Sequence, residues 1–138
     1  MAMKVGDAMT PSPLTVQPSS TVVEAAQVMK SEDVGIVPIA EGDRLTGVVT
    51  DRDITIEVVA ERKDPESTTV GEIASSNLVT VDPDQDLDEA LRLMAQHQVR
   101  RLPVVEEDGR LAGVVAQADV AKHASDEKTG DLVEQISQ

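Results

Sequence analysis

The stretch GVVTDRDI, residues 47–54, carries a hydroxyl, two carboxylates and a guanidinium directly after residues typical of a buried strand. Thr50, Arg52 and Asp53 could therefore hold a polar or anionic ligand through hydrogen bonds and charge. Free N–H groups at the start of a following helix would also suit phosphate. The alternative is local, because Thr-x-x-Asp before a helix is also a capping arrangement. The two roles are compatible, since a capping side chain can also face a cleft.

A second stretch, GVVAQAD at residues 113–119, repeats this pattern with one change. Asp119 is kept, whereas Ala116 has no hydroxyl. Arg100 and Arg101 lie at the start of the preceding predicted strand, where adjacent side chains point to opposite faces, so we expect at most one of them to face a site. Each arginine is a candidate for binding an anionic ligand. The alternative for both is a salt bridge to one of the many carboxylates.

The composition restricts what such sites could bind. The 138 residues contain no Phe, Tyr or Trp, so a bound base would be held by aliphatic side chains without ring stacking. The net charge of −14 opposes binding to nucleic acid and to anionic membranes. No apolar run approaches the roughly 18 to 20 residues of a membrane span, and the N-terminus lacks a signal-like segment. We therefore expect a cytoplasmic protein without nucleic-acid or membrane partners.

Catalysis and metal binding are not predicted. The chain has no cysteine, and its two histidines, His97 and His123, lie far apart and read as exposed helix-end residues. Neighbouring carboxylates such as Asp84 and Asp86 are more often solvated surface in so acidic a chain. No Ser-His-Asp set, Cys-His pair or glycine-rich phosphate loop is present. We therefore expect neither an enzyme nor a required cofactor.

The sequence matches itself when it is shifted by 65 residues, and by 66 after one inserted residue near Gly109. Agreement of this extent is not expected by chance, so the chain is two copies of one unit. We place the first copy at residues 1–62, the second at 63–124 and a C-terminal helical tail at 125–138. Equivalent positions include Val5 and Val70, Thr15 and Thr80, Pro38 and Pro103, Gly47 and Gly113, and Asp53 and Asp119.

Each copy is predicted to begin with a short extended piece followed by a helix that has one apolar face. A capping box, Thr21-x-x-Glu24, starts this helix in the first copy, and the acidic variant Asp86-x-x-Glu89 starts it in the second. The helices should end around Ser31 and Gln96. Their apolar residues follow i, i+3, i+4, i+7 spacing and are Val22, Ala25, Ala26 and Met29 in one copy, and Leu87, Ala90, Leu91 and Met94 in the other.

Two strands and a second helix complete each copy. Pro38 and Pro103 lie inside the first of these strands, which predicts edge strands or strand ends because proline has no N–H to donate. The second helix should begin near Asp51 or Gln117. A single unit of about 55 residues is marginal for burying a core. We therefore expect an α/β (α+β) fold in which two β-α-β-β-α repeats pack sheet to sheet with pseudo-twofold symmetry and leave clefts at the seam.

This duplicated unit, with VGIVPI and GVVTDRDI in one copy and VRRLPVV and GVVAQADV in the other, resembles a tandem pair of cystathionine-β-synthase (CBS) domains of the stand-alone bacterial type. The resemblance covers roughly residues 5–123. It implies that adenosine-type small molecules (AMP, ADP, ATP or S-adenosylmethionine) bind in clefts between the copies. It also implies a homodimer that acts as a sensor and regulates a partner protein, which the sequence does not identify.

The resemblance further implies which residues meet the ligand. Asp53 would accept hydrogen bonds from both ribose hydroxyls, with the Thr50 hydroxyl close by. Asp119 would do the same with one anchor fewer, because Ala116 lacks a hydroxyl, so the site with Thr50 and Asp53 is expected to be the better one. The remaining candidates are Ile36, Val37 and Val48 around the adenine, which could equally be core residues, Arg52, Arg100 and Arg101 for phosphates, and Thr80.

A second hypothesis is that the chain is a ligand-independent structural or interaction module whose clefts are unused. The missing hydroxyl in the second copy favours it slightly. In the C-terminal tail, Leu132, Val133 and Ile136 share one helical face, which we expect to dock on the body of the protein or on a second chain.

Overall fold

A computed structural model describes residues 3–75 and 78–126, with side chains described up to residue 122. The apolar face predicted for the C-terminal tail lies outside the described residues, as does the side chain of His123. In the part of the chain that the structure describes, no helix has both the length and the apolar character needed to cross a membrane.

The first half of the chain contains one β-α-β-β-α repeat preceded by a short helix and a short strand. The predicted start of its second helix at Asp51 is confirmed, and this helix continues into a π-helical turn, Thr55–Val59. The elements are α1 (Val5–Ala8), β1 (Thr10–Pro11), α2 (Val22–Glu32), β2 (Ile36–Glu41), β3 (Arg44–Thr50) and α3 (Asp51–Ile54).

The second half repeats the same order, again with a short helix in front. The predicted helix start at Gln117 is confirmed, and the extended piece that opens each repeat pairs through a single residue, Val16 or Val81. The elements are α4 (Val70–Ile73), α5 (Leu87–His97), β4 (Arg101–Val105), β5 (Leu111–Ala116) and α6 (Gln117–Asp126).

The chain forms two compact units that exchange short segments between the repeats. The first-repeat unit consists of the described residues of Pro13–Leu78 with Gly109–Leu111, so it includes α4. The second-repeat unit consists of the described residues of Met1–Ser12, Val79–Asp108 and Ala112–Gln138, so it includes α1 and β1. The predicted repeat boundaries describe the duplication in sequence, whereas these units describe which segments pack together.

An entirely aliphatic core fills the first-repeat unit, as the absence of aromatic residues requires. Cross-strand pairing of β2 with β3 places Val37 opposite Val49, and both side chains are fully buried. α4 docks through backbone hydrogen bonds from Val70 N to Ser20 O at 2.8 Å and from Gly71 N to Pro18 O at 3.0 Å. The other buried members of the core are Val16, Val22, Ala25, Ile39, Val58, Val70 and Ile73.

The second-repeat unit has an equivalent core beneath a three-stranded sheet with the order β1-β5-β4. β1 pairs antiparallel with β5, with Thr10 opposite Val114 and Pro11 opposite Gly113. α1 packs against α5 and α6 in this unit. The buried members are Val5, Ala8, Val81, Leu87, Ala90, Met94, Leu102, Val104, Val115 and Val120.

Both prolines lie in edge strands of these sheets, β2 and β4, as predicted. Outside β2, Val16 N donates to Pro38 O at 3.1 Å, and Ala40 N donates to Val16 O at 2.9 Å. This bridge uses the carbonyl of Pro38 and the N–H of Ala40, so the missing proline N–H costs no hydrogen bond. Val81 makes the same two bonds beside Pro103, to Pro103 O and from Val105 N.

Both helices start directly after the predicted capping residues, Thr21 and Asp86, but the side-chain cap is confirmed only at Thr21 and is wrong at Asp86. Thr21 Oγ1 accepts from Glu24 N at 3.2 Å. Asp86 makes no side-chain cap, because its carboxylate accepts from Lys4 Nζ at 3.1 Å instead. α2 and α5 end within one residue of the predicted positions, each followed by a residue in the left-handed conformation, Asp33 or Gln98.

A capping box that the sequence analysis did not identify starts α4. The Glu72 carboxylate accepts from Thr69 N at 2.8 Å and from Thr69 Oγ1 at 3.1 Å. These hydrogen bonds favour the ionised form and hold the pKa of Glu72 below its ordinary value of 4.5. These hydrogen bonds fix the first turn of α4, and the helix packs against β3.

The close approach of β1 to β5 can be tested at Gly113, because the corresponding glycine of the other repeat, Gly47, has no such contact. Gly113→Ala should lower the free energy of unfolding by about 1–3 kcal/mol, because the added Cβ would lie 2.6 Å from the carbonyl oxygen of Thr10. Gly47→Ala is the matched control, since the equivalent Cβ meets nothing closer than 3.7 Å. Urea unfolding followed by circular dichroism measures both. Equal stability of the two variants would contradict the described packing of β1.

Candidate functional site

The junction between β3 and α3 is held by a reciprocal pair of hydrogen bonds. Thr50 N donates to Asp53 Oδ2 at 3.0 Å, and Asp53 N donates to Thr50 Oγ1 at 3.0 Å. Both residues are half-buried. The capping role considered from the sequence is therefore present. It fixes the position of the Asp53 carboxylate through only one of its two oxygens, so the arrangement leaves acceptor capacity for a ligand.

Strand pairing decides which of the predicted adenine contacts share a face with Thr50. Ile36 lies opposite Thr50, and Pro38 lies opposite Val48, two pairs further along the ladder. Side chains two residues apart on a strand share a face, so Ile36, Thr50 and Val48 lie on one side of the hairpin. Val37 lies on the other side and is fully buried in the core. The structure therefore separates the Val37 side chain from the other predicted contacts.

Asp51 places a second carboxylate at this junction. Its N–H donates to Gly35 O at 2.9 Å, and its Oδ1 accepts from Arg52 N at 2.8 Å. Its Oδ2 lies 3.0 Å from the position that a Cβ on residue 35 would occupy. The space beside Gly35 is therefore taken by negative charge. Arg52 and Asp51 are both exposed.

The junction between β5 and α6 has the same backbone geometry with different side chains. Gln117 N donates to Arg100 O at 2.9 Å, as Asp51 N does to Gly35 O. Ala116 N donates to Asp119 Oδ2 at 3.1 Å, as Thr50 N does to Asp53 Oδ2. Asp119 thus takes the same role as Asp53 without a hydroxyl partner.

A cavity of about 350 Å³ opens at this second junction. Both arginines are among its lining residues, and which of the two guanidiniums faces it stays a prediction. Strand alternation does not apply to the pair, because β4 begins at Arg101 and Arg100 precedes it. Gln117 and Ala118, which the sequence analysis did not select, also line the cavity. Among the described residues, the lining is Arg100, Arg101, Ala116, Gln117 and Ala118.

Within residues 3–75 and 78–122, whose side chains the structure describes, neither Arg100 nor Arg101 forms an ion pair with a carboxylate, which leaves the salt-bridge alternative without support there. Arg101 is half-buried and Arg100 is exposed. Thr80, also half-buried, precedes the bridging residue Val81 and lies outside the described lining of this cavity.

A second open cavity, of about 680 Å³, lies in the first-repeat unit between α2 and the extended piece before it. Its lining includes Thr15, Gln17, Ser20 and Glu24. None of the candidate ligand-binding residues chosen from the sequence is among its described lining residues. No group of three or more His, Cys, Asp or Glu side chains within the described ranges is arranged to hold a metal ion.

The capping role of Thr50 makes a prediction that is independent of any ligand. Thr50→Ala should lower the free energy of unfolding by about 1 kcal/mol because it removes the oxygen that Asp53 N donates to. Thr50→Ser keeps this oxygen and should retain most of the stability. Urea unfolding of the ligand-free protein measures both variants, and an unchanged midpoint for Thr50→Ala would argue against the cap.

Comparison with known proteins identifies the family. The model of the CBS domain matches residues 5–60 and again residues 70–126. The chain is 42% identical to the CBS domain-containing protein YhcV of Bacillus subtilis over 134 residues, which is 96% of this chain and 94% of that protein. A solved structure of Hypoxic Response Protein I with two coordinated zinc ions is 41% identical, with a TM-score of 0.80 over 88% of this chain and 98% of that one.

A third relative was solved with a nucleotide. The structure of CBSX2 in complex with AMP is 29% identical, with a TM-score of 0.79 over 91% of this chain and 98% of that one. Together with the duplicated junctions and the mixed helix and strand fold, these matches cover nearly the whole described chain. The protein belongs to the CBS domain family and carries two CBS domains in tandem.

Proposed function

We propose that the chain is a regulatory module that binds an adenosine-containing ligand at its strand–helix junctions. The observation that carries this proposal is the pair of aspartates, Asp53 and Asp119, each held in one position by a hydrogen bond from the strand end. A carboxylate fixed in this way can accept both hydroxyls of a ribose without paying to order its own side chain. The AMP complex of the relative CBSX2 supports the same ligand class.

The surroundings of the two aspartates support a nucleoside rather than a sugar alone. At the first junction, the half-buried Ile36 provides apolar surface on the face that carries Thr50, with the buried Val48 beside it, which suits a base in a chain without aromatic residues. At the second junction, Arg100 and Arg101 provide positive charge beside a cavity. AMP, ADP, ATP and S-adenosylmethionine remain the candidate ligands. The expectation that the junction with Thr50 is the better ribose site stays a prediction.

A regulatory rather than catalytic role follows from the same features. Binding through one carboxylate, one hydroxyl and apolar surface recognises a ligand but offers no activated nucleophile or acid–base pair. The output would be a change in the chain's own assembly or in a partner protein that it regulates.

Isothermal titration with AMP, ATP and S-adenosylmethionine tests ligand binding. Asp53→Asn and Asp119→Asn should each weaken binding at their own junction about ten-fold or more, because the amide cannot accept both ribose hydroxyls as an ionised carboxylate does. Glu66→Gln removes an exposed carboxylate from the segment that precedes α4 and should have no effect. 2′,3′-Dideoxyadenosine, which lacks both hydroxyls, should not bind. Absence of binding to all three ligands at millimolar concentration would instead support a ligand-independent module.

We also propose that the chain forms a homodimer through the turn after α3. Val59 is 67% exposed and Ile56 is 42% exposed there, although both are large apolar side chains. A second copy of the chain would remove this surface from water. Sedimentation equilibrium should show a dimer that Val59→Lys converts to monomer. Leu14→Lys, which changes a 53% exposed apolar residue elsewhere, is the matched control. A monomeric wild type, or a Val59→Lys dimer of unchanged stability, would refute this interface.

A further inference from the structure

The two junctions share one backbone geometry, which makes their side chains directly comparable. The strand-end N–H is capped by Asp53 in one and by Asp119 in the other, at 3.0 and 3.1 Å. The following N–H bonds the carbonyl of Gly35 in one and of Arg100 in the other, both at 2.9 Å. Position 35 therefore corresponds to 100, and position 51 corresponds to 117.

At these corresponding positions the charges are opposite. The second junction has a guanidinium-bearing residue at Arg100 and a neutral amide-bearing residue at Gln117, and both residues line its cavity. The first junction has no side chain at Gly35, and the Asp51 carboxylate lies beside it, 3.0 Å from where a Cβ would be. An anion accepted beside Arg100 would meet a carboxylate at the equivalent place in the other junction.

We infer that the two junctions discriminate ligands by charge. The second takes a phosphate-bearing ligand through Arg100 and Arg101, and Asp51 excludes phosphate from the first, which takes ligands without one. Asp51 and Gln117 are thus the residues that set specificity. The inference deepens the proposed function, because it assigns the ligand class of each junction, but the phosphate preference of each can be measured without a nucleoside.

Several features support this assignment over a general electrostatic effect. The chain carries a net charge of −14, so an anion needs a local excess of positive charge to bind at all. Asp119 brings one carboxylate to the second junction against two arginines without ion pairs in the described chain. Asp51 and Asp53 bring two carboxylates to the first junction against one arginine, Arg52.

The test is a ¹H–¹⁵N NMR titration of the full chain with pyrophosphate at constant ionic strength. In the wild type, shifts should concentrate on the amides of Arg101, Gln117 and Ala118, and the amides of Asp51 and Arg52 should stay unchanged. Equal shifts at both junctions, or no shift at the second, would overturn the inference.

Two isosteric variants then exchange the proposed specificity. Gln117→Glu should weaken pyrophosphate binding at the second junction about ten-fold, since a full charge at a few ångströms is worth that much in a partly solvated site. Asp51→Asn should produce a pyrophosphate response at the first junction that the wild type lacks. Glu41→Gln, at the far end of β2, removes the same charge and is the control. Wild-type responses from both junction variants would refute the assignment.

Parallel titrations with AMP and adenosine separate the inference from the proposed function. If AMP and adenosine bind but neither variant alters their affinity ratio, the charge assignment fails and the proposed function stands. If pyrophosphate behaves as expected but neither AMP nor adenosine binds, the charge assignment stands and the proposed function fails.

Discussion

The hydrogen bond from a strand-end N–H to an aspartate one turn into the next helix is the constraint on which both junctions depend. It fixes where β3 ends and α3 begins through Asp53, and it does the same for β5 and α6 through Asp119. The bond uses one oxygen of each carboxylate, so the other oxygen can accept a ligand hydroxyl as the proposed function requires. The second copy has no reciprocal hydroxyl at Ala116 and still keeps this geometry.

The two repeats present junctions with the same backbone hydrogen bonds, and these junctions differ at a few side chains. Because backbone hydrogen bonds at Gly35 and Arg100 are the same, a change of side chain there alters charge without altering the scaffold. A glycine at position 35 leaves room for the Asp51 carboxylate, whereas an arginine at position 100 stands beside a neutral glutamine. Under the proposed charge assignment, one fold would bind two chemically distinct ligands at two junctions.

Local sequence patterns predicted the order of elements, the starts of α3 and α6, the edge strands with Pro38 and Pro103, and the resemblance that the comparisons confirmed. Patterns could not show contacts between distant segments. Asp86 was predicted to cap α5, but its carboxylate meets Lys4, 82 residues away in sequence. The periodicity of apolar residues within each segment also could not predict that α1 packs with the second repeat. Strand alternation could have separated Val37 from Ile36, whereas Gln117 became a candidate only when the cavity brought it beside Arg100.

A crystal structure of the full chain grown with AMP tests the central claim most directly. The account predicts the ribose hydroxyls on the free carboxylate oxygen of Asp53 or Asp119, with that aspartate still bonded to the strand-end N–H. Nucleotide bound elsewhere on the protein, or a junction aspartate turned away from a bound ribose, would contradict it.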